Sequence, residues 1–381
     1  MKRTGFIAVV TAFCLTLSGC AALLDQEYVD VTPYKAVLTT EGDPSTLRAE
    51  SYQELVNALM HFVTTGAETG RIRLYMASEE LESELDAACL EVVQEDPLGA
   101  YAVDYIKYSV SPVVTYSEAE VQISYRRSRE QVDSITSVTG TTAIRSAFES
   151  LLASFDTEQV LRISYFDGDE TFIRDLFHQT YYAAPLSAVE RPTIDVSIYP
   201  KTGRQRIVEL SLDYHLDTLR LEARRDDLAK QLDQLCLTIP TESSSASELA
   251  QVLLSVCRYA PDGGATAYHA FTEGTANQEG MALAFAALCE KQEVPCFVVR
   301  GTLHNAPHFW NLVRLDSEWY HVDLTADVPE GSAPLLLIDS EMAASDYLWT
   351  SNSYPQSGKE SLLPAPEEPE IPLSEALSQP E

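Results

Sequence analysis

The chain has 381 residues, 45% of them apolar, and a formal net charge of −32. That length and apolar share predict two or three domains with real cores. The acidity excludes nucleic acid as a partner, because phosphate binding needs clustered Lys and Arg, and it excludes adhesion to anionic lipid through a basic face. Its ordinary effect is solubility.

The N-terminus reads as a processing signal. Lys2 and Arg3 precede a short apolar stretch, Gly5 to Thr16. That stretch is too short to cross a bilayer core, which takes about 20 apolar residues. Leu17-Ser18-Gly19-Cys20 then resembles a bacterial lipobox. The resemblance implies that residues 1–19 are a lipoprotein signal peptide and that the Cys20 thiol receives a diacylglycerol. Acyl chains contribute about 0.8 kcal/mol per buried CH2, so two or three hold firmly without a transmembrane helix. The expected location is the extracytoplasmic face of the cell membrane, with the membrane as partner through lipidated Cys20. Cleavage leaves 24 basic against 58 acidic residues. Residues 20–48 are polar and read as a tether.

Residues 49–236 predict a duplicated α+β region. Leu55, Leu59 and Phe62 have helical spacing, and so do Ile144, Phe148 and Leu151, each 89 positions later. Leu74 matches Ile163 at the same offset, and Ile123 and Tyr125 match Leu212 and Tyr214. Pro97-Leu98 corresponds to Pro185-Leu186 at an offset of 88. Two α-β-α-β-β units, about 50–135 and 140–215, follow from this reading. Glu118–Arg126 and Arg206–Tyr214 alternate as half-buried antiparallel strands do. A long helix over 216–236 is given an apolar stripe by Leu219, Leu221, Leu228, Leu232 and Leu235. A polar linker, Thr238–Ala246, leads to a helix over Leu249–Tyr259 opened by Ser247 and Glu248. The tail, 359–381, is rich in Pro, Glu and Ser and is expected to be disordered.

Five cysteines remain beyond Cys20: Cys89, Cys236, Cys257, Cys289 and Cys296. Their number is odd, they show no CxxC spacing, and the sequence selects no disulfide pair. No metal site and no cofactor are expected.

The last domain, 247–355, holds the residues that could carry chemistry. Gly280–Glu290 predicts a helix packed by Ala, Leu and Phe, and Phe297–Val299 a buried strand. His308–Leu315 and Glu318–Leu324 alternate around Asp316-Ser317, which predicts a hairpin. That hairpin sets His308 and Asp323 roughly opposite, so that a carboxylate could hold an imidazole in one tautomer.

These blocks resemble the transglutaminase-like superfamily, with its papain-type, cysteine-protease-like architecture. The resemblance rests on His308-Phe309-Trp310-Asn311, on Trp319-Tyr320-His321-Val322-Asp323 fifteen residues later, and on Gln278-Glu279-Gly280-Met281-Ala282. It implies His308 as general base and Asp323 as its orienting partner, with Trp310 and Asn311 as binding positions. It also implies a cysteine nucleophile where this sequence has Gln278. A carboxamide does not ionise to a nucleophile near neutral pH. The expected function is therefore a catalytically inactive module that binds a peptide or cell-wall component, or scaffolds a complex. The alternative is an active thiol acyltransferase or protease with a non-standard nucleophile. Cys289 fits that poorly, lying about 16 Å down the helix axis from Gln278 at about 1.5 Å per residue.

Overall fold

The computed structural model describes residues 46–76, 81–239, 245–326 and 336–362. The expected signal peptide, Cys20, most of the tether and the tail from residue 363 onward lie outside the described residues. Contacts group the chain into two units: Met1–Gln94 with Val103–Arg126, and Glu95–Ala102 with Arg127–Glu381.

The first unit begins with β1 (Thr46–Ala49) and α1 (Tyr52–Thr65). Ser51 caps α1, its hydroxyl accepting from the Glu54 N–H at 3.3 Å. Gly66 ends α1 at φ 70°, a left-handed conformation that glycine adopts without Cβ strain. Then come β2 (Thr69–Leu74), α2 (Leu81–Gln94), α3 (Pro97–Ala102), β3 (Val103–Val113) and β4 (Tyr116–Tyr125). Helix α3 groups with the second unit. The sheet order is β1-β2-β4-β3. β1 lies parallel to β2, and the other neighbours are antiparallel.

The second unit continues with α4 (Arg129–Asp133), β5 (Thr136–Val138), α5 (Gly140–Ser154), β6 (Glu158–Ile163), α6 (Glu170–Ala183), β7 (Thr193–Tyr199) and β8 (Arg206–Asp213). Its sheet order, β5-β6-β8-β7, has the same pattern of one parallel and two antiparallel pairs. The registers correspond as well. Ile72 opposite Ala119 becomes Leu161 opposite Val208, and Leu74 opposite Ser117 becomes Ile163 opposite Arg206, each residue moved by 89. The outer strand moves by 88, since Tyr108 pairs with Val121 and Val196 with Leu210. Phe155 ends α5 at φ 56°, 89 residues after Gly66.

Apart from the short helices α3 and α4, the order in each case is β-α-β-α-β-β, one strand more than the sequence predicts. β1 and β5 are the additions, and β1 takes residues 46–49 out of the expected tether. Strands of four and three residues are too short to show alternation, and only pairing with β2 and β6 defines them.

The last part comprises α7 (Thr218–Cys236), α8 (Ala246–Val256), β9 (Arg258–Gly264), α9 (Ala267–Glu273), β10 (Thr275–Ala276) and α10 (Gln278–Lys291). There follow β11 (Cys296–Leu303), β12 (Ala306–Leu315), β13 (Glu318–Val322), α11 (Asp339–Ala344) and β14 (Tyr347–Trp349). Helix α8 is capped by Ser245 rather than opened at Ser247. Ser245 and Glu248 form a reciprocal capping box, with the Ser245 hydroxyl accepting from the Glu248 N–H and the Ser245 N–H donating to the Glu248 carboxylate.

Helix α10 is buried on every side from Glu279 to Cys289, as a helix without a polar face must be. It packs on the sheet β13-β12-β11-β14. Alternation along the strands sends Val298, Phe309 and Val313 toward the core that holds α10. It sends Val299, Trp310 and Leu312 to a second, smaller core with Met342 and Tyr347. Fully burying one such aliphatic side chain is worth about 1.5–3 kcal/mol, far more than the tenths that helix propensity decides per residue, so packing fixes where α10 sits. Among the described residues no helix is long and apolar enough to cross a membrane.

Candidate active site

The hairpin positions the first two groups. Asp316, at φ 54°, and Ser317 form the two-residue turn, and Leu315 pairs with Glu318. The ladder closes at Asn311 opposite Val322, so Asp323 follows directly and can reach back along β12. His308 Nε2–H donates to Asp323 Oδ2 at 2.6 Å. The imidazole and carboxylate predicted from sequence are thus brought together.

Asp323 is 4% exposed at its side chain and its acceptor sites are well used. Tyr347 OH donates to Oδ2 at 2.7 Å. The Thr325 N–H and hydroxyl donate to Oδ1 at 2.8 and 2.7 Å. Burial pushes this carboxyl up, but the bonds from His308 and Thr325 outweigh it and hold Asp323 below the usual carboxylate range. Tyr347 moves the opposite way, because burial and the adjacent Asp323 charge disfavour its phenolate. Nε2 carries every hydrogen bond of the His308 ring among the described residues.

Gln278 is the first residue of α10, and Asn277 is the cap, its side chain accepting from the Gly280 N–H at 3.0 Å. Gln278 Nε2 donates to the Pro307 carbonyl at 3.4 Å. The carboxamide therefore stands beside the residue preceding His308. Gly280 lets this turn approach β9, since a Cβ there would lie 2.3 Å from the Gly264 carbonyl oxygen.

Trp310 and Asn311, expected to contact ligand, are each 1% exposed and offer it no surface. Asn311 Nδ2 donates to the Ala282 carbonyl at 2.9 Å, tying β12 to α10. Trp310 stacks beside His308, with ring centroids 6.2 Å apart, and its Nε1–H donates to His321 Nδ1 at 2.9 Å. An indole nitrogen only donates, so His321 Nδ1 is unprotonated and the ring proton sits on Nε2, 2.9 Å from Asp339 Oδ1. Burial holds the His321 pKa below its ordinary value, against the pull of Asp339. A second histidine–carboxylate pair thus fixes the tryptophan that backs the first.

Sequence reasoning missed two arrangements. One is the hydrogen bond from Tyr347 to Asp323, 24 residues apart in the chain. The other surrounds Glu279, which is 6% exposed at its side chain and bonded to Arg191 at 2.9 Å and Tyr182 at 2.8 Å. Burial lifts Glu279 above the usual carboxylate range despite both partners. Both arrangements join residues far apart in the chain and leave no local signal.

Among the described residues no cysteine hydrogen-bonds to His308. Burial raises the thiols of Cys89, to about 12, Cys257, to about 11, and Cys289, opposite to what a nucleophile needs. Among the described residues no group of three or more His, Cys, Asp or Glu side chains is arranged to hold a metal ion.

The model of the transglutaminase-like superfamily core matches residues 229–324. That range runs from within α7 to Leu324 and contains Gln278, His308 and Asp323. No curated protein matches the chain. Three solved chains do. One, described as the crystal structure of a TGase, is 13% identical, with 50% of this chain and 65% of that one covered and a TM-score of 0.25. This chain thus spans less than two thirds of that structure's length. The chain contains a transglutaminase-like superfamily domain over residues 229–324.

Proposed function

We propose that this is a lipid-anchored protein of the extracytoplasmic face whose transglutaminase-like domain binds an extended peptide or cell-wall segment without thiol transfer. The observation that carries this reading is Gln278 on the first turn of α10, beside Pro307, next to an intact His308–Asp323 pair. A carboxamide supplies no electron pair for acyl transfer near neutral pH. A triad that lacks one member keeps only about 10³–10⁴ over water. The imidazole remains held in one tautomer and offers Nδ1 as a polar contact for a bound backbone.

Alkylation of the full chain by iodoacetamide tests this. The five native thiols outside the signal and lipobox label slowly and without dependence on His308. Gln278→Cys introduces a thiol on a helix N-terminus near His308, where its pKa falls. It labels roughly tenfold faster or more, and His308→Ala removes that gain. Fast, His308-dependent labelling of a native cysteine would overturn the non-catalytic reading. Binding is read separately by photo-cross-linking a peptide library to the wild-type chain. Adducts mapping to the start of α10 and β12 support it, and an absence of adducts sinks it.

A further inference from the structure

A cavity of about 450 Å³ lies at the edge of β11, within the range of about 300–1,000 Å³ usual for small-ligand sites. Neither Gln278, His308 nor Asp323 lines it. Its apolar wall is Phe297, Tyr182 and Tyr354, and its charged groups are Arg145, Arg300 and Asp175.

Two features give the cavity a chemistry. The first is an open strand edge. β11 pairs with β12 along Cys296–Leu303, but with β14 only at Gly301–Leu303. The Arg300 N–H donates to the Tyr354 hydroxyl at 3.2 Å, so the Arg300 peptide group points to the open edge. Backbone groups alternate sides along a strand, and Val298 therefore turns its N–H and C=O the same way, into the cavity it lines.

The second feature is positive charge in a chain of net charge −32. Arg145 bonds to the neutral Gln179 carboxamide, and among the described residues no carboxylate lies within 4.0 Å of it. The carboxylate of Asp175 is 3.8 Å from Arg300, beyond hydrogen-bond reach. Burial, and after it the charges of Arg300, Arg191 and Arg174, pushes His178, next to Gln179 in the chain, down to about 4.

We infer that this cavity takes the C-terminal end of a peptide. The free carboxylate sits on Arg145 and Arg300, whose planar forks match its two oxygens. The last apolar side chain packs on Phe297, Tyr182 and Tyr354. The peptide backbone extends the sheet at Val298. This site is separate from the His308 cleft and does not depend on that reading.

Titration of the full chain with N-acetyl-Ala-Ala-Phe and with its C-terminal amide tests the assignment by calorimetry. The acid binds saturably, and the amide binds roughly tenfold or more weaker. Arg145→Gln and Arg300→Gln each weaken the acid by roughly tenfold, with unchanged circular dichroism. Asp175→Asn, which removes the competing carboxylate, tightens binding a few-fold, a gain that misfolding cannot imitate. Equal binding of acid and amide, wild-type affinity in both arginine variants, or no saturation up to about 5 mM peptide overturns the proposal.

Discussion

His308, Asp323 and Tyr347 show how much a single carboxylate organises. Asp323 accepts four hydrogen bonds from three residues, and each orients its donor. The arrangement lets an imidazole work, yet its neighbour on α10 is a carboxamide. The His178 pKa is also lowered, by burial first and then by the charges of Arg300, Arg191 and Arg174, to about 4 from an ordinary 6.5. Its folded-state pKa lies below the unfolded one, so the unfolded chain binds the proton better. His178 therefore costs no stability above about pH 6.5, and stability falls as pH drops from there toward about 4. Thermal melts across that window should show the decline, and His178→Gln should flatten it. An identical slope in the variant would show that other groups carry the acid response.

At the scale of elements, α10 is the part whose placement decides the site. Its apolar residues surround it completely, so no face was available to predict its neighbours from. The turn that presents Gln278 depends on Gly280, because the Gly264 carbonyl oxygen and the Ala276 Cβ would lie 2.3 and 2.9 Å from an added Cβ. The nearest obstacle is backbone and cannot swing aside. Gly280→Ala is expected to cost about 3 kcal/mol or more. It should be read as a lower urea midpoint at an unchanged m-value. A neutral result would show that the first turn of α10 can move. The short strands β1 and β5 belong to the same scale. Each is defined by a parallel partner 25 residues on, Ala49 by Leu74 and Val138 by Ile163, and neither shows a pattern of its own.

At the scale of the molecule, the larger core of the second unit joins segments far apart in the chain. That core runs from Ile144 on α5, through α6 and α7, to α10 and Leu324. The Arg191–Glu279–Tyr182 cluster lies within this unit and bonds the last turn of α6 and the segment after it to the first turn of α10. The transglutaminase-like domain therefore shares its interior with the α/β segment before it. The proposed lipid anchor is tested on the whole chain. Cys20→Ser should move the protein from the membrane to the soluble fraction and abolish incorporation of labelled palmitate. Retention at the membrane with no label in either form would overturn the lipid anchor.

Local chemistry wrote several features directly into the sequence. Apolar spacing marked α1 and α5, alternation around Asp316-Ser317 marked the hairpin, and the fifteen-residue interval between His308 and Asp323 marked their pairing. The 89-residue spacing of apolar positions has its counterpart in the matching ladders of the two sheets. Tertiary structure alone decided that Trp310 and Asn311 are interior supports, that Tyr347 bonds to Asp323, and that Glu279 is buried against Arg191. The division has a physical basis. Periodicity and turn chemistry act over a few residues, and the sequence displays them. Burial and long-range hydrogen bonds depend on which surfaces meet once the chain has folded.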